Sequence, residues 1–573
     1  MTRRGLGQRA ALRLPSPGSG HGLVTGFGSI VRASRPSTPV GVAMVAALAA
    51  SLAGCGGDAE AGKRGSGPAP TSSQAAERAD WIPGYVARLT PAEKVGQLFV
   101  PTVGDAAQGR AMVRRYHVGG VIYFPENLRT PRSTAELSNA LQKASKIPLT
   151  IGVDEEQGIV SRTPFVTRFP GNMTLGATGR PDDAQAAAQA TGAELRAVGI
   201  NQNYAPDADV NVNPANPVIG IRSFGADPGL VAKMTHAAVA GYQQAGVAAT
   251  AKHFPGHGDT ATDSHTGLPV IRHSRATWER LDAPPFASAG ADAVMSAHIV
   301  VPKLDDSGDP ATLSKTVLTG LLRQKLGFQG VIVTDSLQME GVREKYSDRA
   351  VPVRAINAGA DQLLMPPSLP VAYQAVLRAA KSGRIPQARL DDAVARILRL
   401  KERRGLFRGT QVDPAKAADQ VGTSEHHALA LSVAEHGVTV VSDDGNVLPL
   451  KGRSVYVTGA KSARVGAALR AAGVKTAGSL GQADVALLTT LNDGASGTAA
   501  RARALASKPT VVAALGAPYD LDKATRAKAL VATFSSAAPA ITALARVLSG
   551  QVKPTGKLPV PVAGKPVGAG ADS

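Results

Sequence analysis

The stretch KHFPGHGDTATDSHTGLP, residues 252–269, holds three histidines and two aspartates within eighteen residues. Histidine moves protons near neutral pH, and a carboxylate that accepts a hydrogen bond from one ring nitrogen orients the ring and makes the other nitrogen more basic. Asp263 and His265 are two residues apart, so they lie on one side of an extended segment and can form such a pair. The stretch is either a surface loop with chance histidines or a loop that carries proton-transfer chemistry.

A metal site is the sharpest alternative for this stretch. His253 and His257 are four residues apart, as in helical zinc motifs, but Pro255 and Gly256 stand between them and break the helix that such a motif needs. No glycine loop of the kind that binds phosphate at a helix start is recognisable in the sequence. The sequence therefore predicts no metal and no other cofactor.

Short apolar runs alternate with helix-like segments from about residue 80 onward. Eight runs precede residue 405: GQLFV (96–100), GGVIYF (119–124), LTIGVD (149–154), GINQNYAP (199–206), GVAATAKHF (246–254), DAVMSAH (292–298), GVIVTD (330–335) and DQLLMP (361–366). Continuous apolar runs, rather than alternating ones, are typical of parallel strands that are buried on both faces. Eight strand–helix units predict an α/β protein with a (β/α)8 TIM barrel.

A shorter series of alternating apolar runs and helix-like segments follows and predicts a second domain, an α/β sandwich. Its strands are expected at 437–443, 453–459, 484–490, 510–516 and 530–535, with GKLPVPV (556–562) as the closing strand. The predicted domains are the barrel at 80–405, a polar linker at 406–424 and the sandwich at 425–573.

Ligands of a parallel barrel meet the carboxyl ends of its strands. Polar residues follow five of the predicted strands there: Asp154 with Arg162, Arg222, Lys252 with His253, His298, and Asp335. Each one alone has a structural explanation, such as a helix cap, but their convergence on one rim favours a site. Asp335 directly follows the buried run GVIVT, which gives its carboxylate the rigid support that a nucleophile needs.

Two motifs make the chain similar to a known family. Residues 252–269, together with NPVIGIRSFGADP (216–228), resemble the β-N-acetylglucosaminidase (NagZ-type) branch of glycoside hydrolase family 3. The similarity extends from EKVGQLF (93–99) to GVIVTDSLQMEG (330–341). The resemblance implies that Asp335 is the nucleophile of a covalent glycosyl-enzyme and that His265, assisted by Asp263, is the acid/base. It also implies a set of residues that bind the sugar hydroxyls: Asp154, Arg162, Arg222, Lys252 and His253.

The sequence departs from the family pattern after the third strand. The family reads D-Q-E-G-G-x-V-x-R there, whereas this chain reads DEEQGIVSR (154–162), with Gln157 in place of a glycine. In the β-glucosidase branch of the family a glutamate of the second domain is the acid/base. Here only Glu425 and Glu435 follow residue 424, and both precede the first strand of the second domain. The acid/base is therefore expected in the barrel.

These features predict a retaining exo-β-N-acetylglucosaminidase that acts on cell-wall (peptidoglycan) or chitin fragments. The expected partner is a β-GlcNAc oligosaccharide or muropeptide. An imidazole acid/base also leaves phosphorolysis open, because it puts no second anion beside an incoming phosphate. Two further alternatives are a β-glucosidase or β-xylosidase of the same family and a glycan-binding lipoprotein without activity.

Cys55 is the single cysteine and ends the apolar run VGVAMVAALAASLAGC (40–55), which follows Arg32 and Arg35. This is the layout of a secretion signal, and residues 52–55 resemble a bacterial lipobox, with lipidation at the cysteine. The sequence predicts a signal peptide at 1–55, a flexible tether at 56–79, and an exported protein that a lipid anchors to the extracytoplasmic side of the cell membrane.

The chain is strongly basic, with a formal net charge of +19. Residues 1–54 contribute six arginines and no acid, which leaves +13 for the rest. Such a charge suits an anionic surface, or it is simply a solvated basic surface. No nucleic-acid motif is recognisable, and an aromatic content of 4% leaves little for base stacking, so no nucleic-acid partner is expected.

Overall fold

The computed structural model describes residues 80–570. The predicted signal peptide (1–55), the predicted lipidation site Cys55 and the predicted tether (56–79) lie outside the described residues. None of the helices in the described part is long and apolar enough to span a membrane.

Eight parallel strands close into a barrel. The first ten strands of the chain are β1 (Phe99–Val100), β2 (Gly120–Ile122), β3 (Thr150–Val153), β4 (Glu155–Gln157), β5 (Val160–Ser161), β6 (Gln202–Asn203), β7 (Ala248–Phe254), β8 (Ala293–Ser296), β9 (Val331–Thr334) and β10 (Leu363–Leu364). All but the β4–β5 hairpin belong to the barrel. The order is β2-β3-β6-β7-β8-β9, and β1 pairs with β10. Bridges from Thr102 to Ile122 and from Val333 to Gln362 join this pair to both edges. The predicted TIM barrel is confirmed, with every strand inside its predicted run.

Helices surround the barrel and fill the second domain. They are α1 (Ile82–Arg88), α2 (Pro91–Gln97), α3 (Ala106–Tyr116), α4 (Pro131–Ala144), α5 (Asn172–Thr178), α6 (Pro181–Ala197), α7 (Pro228–Gln244), α8 (Arg275–Leu281), α9 (Ala283–Ser288), α10 (Glu340–Arg343), α11 (Ala350–Ala358), α12 (Leu369–Lys381), α13 (Gln387–Arg403), α14 (Ser424–Gly437), α15 (Ser462–Ala471), α16 (Ala495–Ala504) and α17 (Ala538–Leu548). Local sequence sets several of the starts. Asp105, for example, accepts hydrogen bonds from the backbone N–H groups of Ala107 and Gln108 and so caps α3.

Helix α13 closes the barrel at the amino ends of the strands. Arg396 donates a hydrogen bond to the carbonyl of Gln329, just before β9 (2.8 Å). Lys401 is fully buried, and its Nζ donates to Oε1 of Gln97, just before β1 (2.7 Å). No acid is among its recorded partners in the described part of the chain, and burial lowers the pKa of Lys401 to about 7. The closure of the barrel thus includes one buried lysine whose charged form is much less favourable in the fold than in water.

Replacing Lys401 with Met is expected to stabilise the protein at pH 7 by about 2 kcal/mol, because folding then no longer has to bury or deprotonate a charged lysine. The loss of the hydrogen bond to Gln97 offsets part of this gain. In the unfolded chain a lysine has a pKa of about 10.4, so between pH 7 and that value the unfolded chain holds the extra proton. Wild-type stability therefore rises with pH by up to about 1.4 kcal/mol per unit. Melting temperatures at pH 7, 8 and 9 should show the advantage of K401M shrinking. An advantage that stays constant over this range would contradict the assignment.

The second domain is an α/β sandwich around a six-stranded sheet. Its strands are β11 (Thr439–Ser442), β12 (Ser454–Gly459), β13 (Lys475–Thr476), β14 (Val485–Thr490), β15 (Thr510–Ala514) and β16 (Ala529–Ala532), in the order β11-β16-β15-β14-β12-β13. Helices α15 and α17 pack on one face of this sheet and α16 on the other. The five predicted strands are present. The short edge strand β13 was not predicted.

The prediction that residues 556–562 close this sheet is wrong. This segment, the C-terminal strap, forms no strand. It crosses to the barrel, where the carbonyl of Pro559 accepts a hydrogen bond from the N–H of Ala226 (2.9 Å) and the N–H of Lys557 donates to the carbonyl of Ala177 (2.8 Å). Pro559 and Pro561 have no N–H, so alternate residues of the strap cannot donate to a strand ladder.

Candidate active site

A cavity of about 420 Å³ opens at the carboxyl ends of the barrel strands. Seven of the eight barrel residues predicted for the site line it: Asp154, Arg162, Arg222, Lys252, His253, His265 and Asp335. The eighth, Asp263, contacts His265. The structure thus brings together residues that are up to 181 positions apart in the sequence (335 − 154 = 181). The chemical roles of the individual residues stay predictions.

Asp335 follows β9 at the floor of this cavity. Its N–H donates to the carbonyl of Ser296 (3.1 Å), and its Oδ1 accepts a hydrogen bond from the N–H of Ser336 (2.7 Å). Burial works to raise the pKa of Asp335, but the imidazoles of His298 and His253 and the Ser336 N–H outweigh it, so the pKa lies below its ordinary value. The carboxylate is therefore ionised and fixed, as a nucleophile must be.

A buried carboxylate, Glu156, joins two of the predicted sugar-binding cations. Arg222 binds both of its oxygens, with Nε at 2.8 Å and Nη2 at 2.9 Å, and Nζ of Lys252 lies 2.6 Å from Oε1. Lys252 also donates to Oδ1 of Asp154 (2.8 Å). Burial would raise the pKa of Glu156, but Arg222 and Lys252 together hold it well below its usual range. This network fixes two cations and a carboxylate at the cavity wall.

Asp209 orients the predicted sugar-binding His253. Its Oδ2 lies 2.7 Å from Nδ1 of His253, so Nδ1 carries the proton and Nε2 faces Arg222 Nη2 at 3.3 Å. Asp207 lies alongside, fully buried, and its Oδ2 has no hydrogen-bond partner in the described residues. Burial and the neighbouring Asp209 raise the pKa of Asp207 well above its usual value. Burial is outweighed at Asp209 by the neighbouring His253, which lowers its pKa, and Asp209 is thus the more acidic member of this pair.

Ligand atoms of Asp207, Asp209 and His253 lie within 4.8 Å of one another, as in a metal site. Two contacts argue against a cation there. Nδ1 of His253 is engaged in the hydrogen bond to Asp209, and the Arg222 guanidinium already lies 3.8 Å from Asp207. Among the described residues this cluster therefore fits a hydrogen-bonded support for His253 better than a metal centre, and the absence of a metal stays a prediction.

The predicted acid/base pair is formed on the loop that follows β7. Nδ1 of His265 lies 2.7 Å from Oδ1 of Asp263, and the same oxygen accepts the N–H of His265 (2.8 Å). The side chain of His265 is 62% exposed and lines the cavity. The pair has the geometry that orients an imidazole for proton transfer.

Gln157, which stands where the family has glycine, keeps the backbone conformation that glycine favours. Its φ is +67°, and its side chain is anchored away from the cavity. Nε2 donates to Oγ1 of Thr191 (3.0 Å), and Oε1 accepts the N–H of Phe169 (3.0 Å). The two hydrogen bonds offset the strain of the left-handed backbone, and Gln157 is not among the residues that line the cavity.

The second domain supports the site from outside. Every residue that lines the cavity lies at or before Met365. Glu425 and Glu435 are both in α14, where Glu435 binds Arg546 (2.5 Å), and neither lines the cavity. Contacts between the domains instead hold the barrel loops, such as the hydrogen bond from Asn211 to the hydroxyl of Tyr519 (3.2 Å).

Comparisons with known proteins agree with this geometry. The Glycosyl hydrolase family 3 N terminal domain matches residues 90–400, more than half of the chain. The chain belongs to glycosyl hydrolase family 3. Beta-hexosaminidase A of Pseudoalteromonas piscicida is 39% identical over 379 residues, which are 60% of this chain and 63% of that relative. The chain thus spans a little under two thirds of it.

Two further proteins are informative about the domains. Beta-hexosaminidase LpqI of Mycobacterium tuberculosis is 33% identical over 385 residues, which are 63% of this family 3 chain and 97% of LpqI. A solved glycoside hydrolase family 3 β-N-acetylglucosaminidase from Paenibacillus sp. str. FPU-7 is 38% identical with a TM-score of 0.77, over 84% of this chain and 100% of that one. The Paenibacillus match covers enough of this chain to include both domains, whereas the LpqI match covers a smaller share of it.

Sequence reasoning did not assign Glu156, Asp207, Asp209 or His257 to the site. Glu156 could have been assigned from the sequence, because it stands two residues after Asp154 and so lies on the same side of an extended strand. Asp209 gives no comparable signal. It acts on His253 and His257, which are 44 and 48 positions later in the sequence.

Proposed function

We propose that the protein is a retaining exo-β-N-acetylglucosaminidase that hydrolyses terminal β-linked GlcNAc from peptidoglycan or chitin fragments. The observation that carries the proposal is that Asp335 and His265 line one cavity from the ends of different strands, each with its own fixed partners. Retaining glycosidases need this combination, a nucleophile and an acid/base on opposite sides of the scissile bond.

The reaction has two steps. In the first, an Asp335 oxygen attacks the anomeric carbon, and the bond to the leaving oxygen breaks as His265 protonates that oxygen. In the second, His265 takes a proton from water, which attacks the same carbon and releases the Asp335 carboxylate. Asp263 holds the Nδ1 proton of His265 throughout, so Nε2 is the nitrogen that gives and takes the proton.

The names of the P. piscicida and M. tuberculosis relatives and of the Paenibacillus structure support GlcNAc as the sugar that binds next to Asp335. The wall of buried cations and carboxylates beside the cavity supports a polar, many-hydroxyl ligand. The cavity volume of about 420 Å³ is within the range of small-ligand sites.

The test is the release of p-nitrophenol from the aryl β-GlcNAc and the aryl β-glucoside, each with and without phosphate. We expect release from the β-GlcNAc glycoside in phosphate-free buffer and at least about tenfold less from the glucoside, since a polar site rejects an analogue that leaves its groups unpaired. A gain with phosphate together with a sugar 1-phosphate product would replace the hydrolase with a phosphorylase. Release from neither substrate would contradict the assignment to β-GlcNAc.

We further propose that the protein is exported and anchored to the membrane by a lipid on Cys55, in a position to meet cell-wall fragments. The support is the lipobox-like sequence at 52–55 after an apolar run. Incorporation of a labelled fatty acid that Cys55→Ser abolishes would support the anchor, and unchanged labelling would exclude this site.

A further inference from the structure

Ser264 stands between the two residues of the acid/base pair, and its side chain points away from the solvent that they face. The residue is 2% exposed, whereas the side chains of Asp263 and His265 are 37% and 62% exposed. Its Oγ lies 3.0 Å from Nε2 of His257. The loop therefore exposes the acid/base pair on one side, and on the other side Ser264 binds it to His257.

The hydrogen bond between Ser264 and His257 has a preferred direction. His257 is almost fully buried, and burial lowers its pKa to about 4, so the ring is neutral near pH 7 and carries one proton. Nδ1 lies 2.8 Å from Oγ1 of Thr260, whose own hydroxyl is within 3.1 Å of the His257 carbonyl. The arrangement that makes both bonds puts the ring proton on Nδ1. Nε2 is then an acceptor, and the Ser264 hydroxyl donates to it.

His257 is itself fixed by the residues that support the sugar site. Its N–H donates to Oδ1 of Asp209 (2.7 Å), and its carbonyl accepts Nδ2 of Asn216 (2.9 Å). The other oxygen of Asp209 binds His253. The buried Asp209 carboxylate thus binds both His253, which is predicted to bind the sugar, and His257, which lies behind the loop of the acid/base pair.

The loop also contacts the segment that follows the nucleophile. The carbonyl of Ser264 accepts the N–H of Gly341 (3.4 Å). A Cβ at Gly341 would lie 2.7 Å from the carbonyl oxygen of Gly267 and 3.0 Å from that of Ser264, so only glycine allows this approach. Ser264 is therefore held through its side chain by His257 and through its backbone by the start of α10.

We propose that Ser264 is a positioning residue for the proton transfer: its hydroxyl, bonded to His257, fixes the Asp263–His265 pair relative to Asp335. The proposal rests on the proposed glycosidase function. The Ser264–His257 bond involves neither Asp335 nor Nε2 of His265, although Ser264 lines the same cavity as both, so the tests must separate an effect through His265 from a direct effect on the substrate.

Replacing Ser264 with Ala tests this through the leaving group. For a substrate with a poor leaving group, such as the β-linked GlcNAc disaccharide, kcat/KM is expected to fall on the order of 10- to 100-fold, because the acid is misplaced. For the 2,4-dinitrophenyl glycoside, whose leaving group needs no proton, kcat/KM should change by less than about threefold. Thr262→Ala removes an exposed hydroxyl from the same loop and should leave both substrates unaffected.

A second arm separates positioning from a general loss of structure. In a His265→Ala background, adding S264A should cost nothing further, because a positioning role of Ser264 requires His265, whereas a direct contact of Ser264 with the substrate does not. Equal losses on both substrates, or a further loss in the double variant, would overturn the proposal, as would no loss on the disaccharide. Ser264→Thr keeps the hydroxyl and is expected to recover most of the activity.

The positioning role of Ser264 can also be tested without measuring turnover. This test distinguishes failure of the positioning role from failure of the proposed glycosidase function. The side-chain nitrogen spectrum of the histidines should show the Nε2 signal of His257 shifting in S264A, accompanied by a change at Nδ1 of His265. A shift at His257 with no change at His265 would refute the positioning role even if the protein turned over no β-GlcNAc substrate.

Discussion

Replacing Asp335 with Asn is expected to lower turnover of the aryl β-GlcNAc by about 10⁴-fold or more, because an amide cannot form the glycosyl ester that the proposed mechanism requires. Asn has the same shape and its Oδ1 can still accept the Ser336 N–H, so the melting temperature should change little. Asp306→Asn, an exposed aspartate on the loop after β8, is the matched control and should retain full activity.

The covalent intermediate gives an independent measurement. In a His265→Ala background the second step lacks its base, so incubation with the dinitrophenyl glycoside should leave one GlcNAc bound to the protein. Digestion and mass spectrometry should place that sugar on the peptide containing Asp335. A sugar found on another peptide, or D335N activity within about tenfold of the wild type, would remove Asp335 from the role of nucleophile.

Replacing Glu156 with Gln should produce the second large effect, on both stability and activity. The carboxylate lies between Arg222 and Lys252, and removing its charge leaves two buried cations that are only partly compensated. Breaking such a cluster costs about 3–5 kcal/mol. We also expect kcat/KM to fall on the order of 100-fold, because both cations lose the position from which they bind the sugar.

Asp207 is the group that can partly replace Glu156. It lies 3.8 Å from Arg222, and its pKa is high partly because Glu156 is negative. Without that charge, Asp207 ionises more readily and can bind Arg222, so the double variant E156Q/D207N should be clearly less active than E156Q. Glu126→Gln, an exposed glutamate after β2, is the control. A thermally unchanged E156Q with full activity would show that the network is not needed.

The barrel could be predicted from sequence because parallel strands buried on both faces leave continuous apolar runs, and each of the eight runs contains a strand. The strap shows where this signal fails. GKLPVPV is apolar enough to be buried, but composition does not say against which partner. The two-residue edge strand β13 pairs with β12 alone and is too short to leave a pattern.

The candidate site divides in the same way. Residues at the end of a strand or directly after it, such as Lys252 and Asp335, could be found by position, since the carboxyl ends of the strands converge. Groups that act on other side chains could not. Asp209 matters because of what it binds across the rim, and Ser264 because a buried imidazole lies behind it, and neither relation leaves a trace in local sequence.

The C-terminal strap has a consequence for when this protein becomes competent during synthesis. It contacts Gly225 and Ala226, close to Arg222 on the same loop. A ribosome joins residues in order, so the eight barrel strands are complete nearly 200 residues before the strap exists (556 − 364 = 192). During synthesis, the loop that carries Arg222 therefore lacks this support on its outer side until the second domain and the strap have been made. A chain truncated before residue 556 would keep every predicted site residue of the barrel and still lack the contact behind the loop of Arg222, which is predicted to bind the sugar.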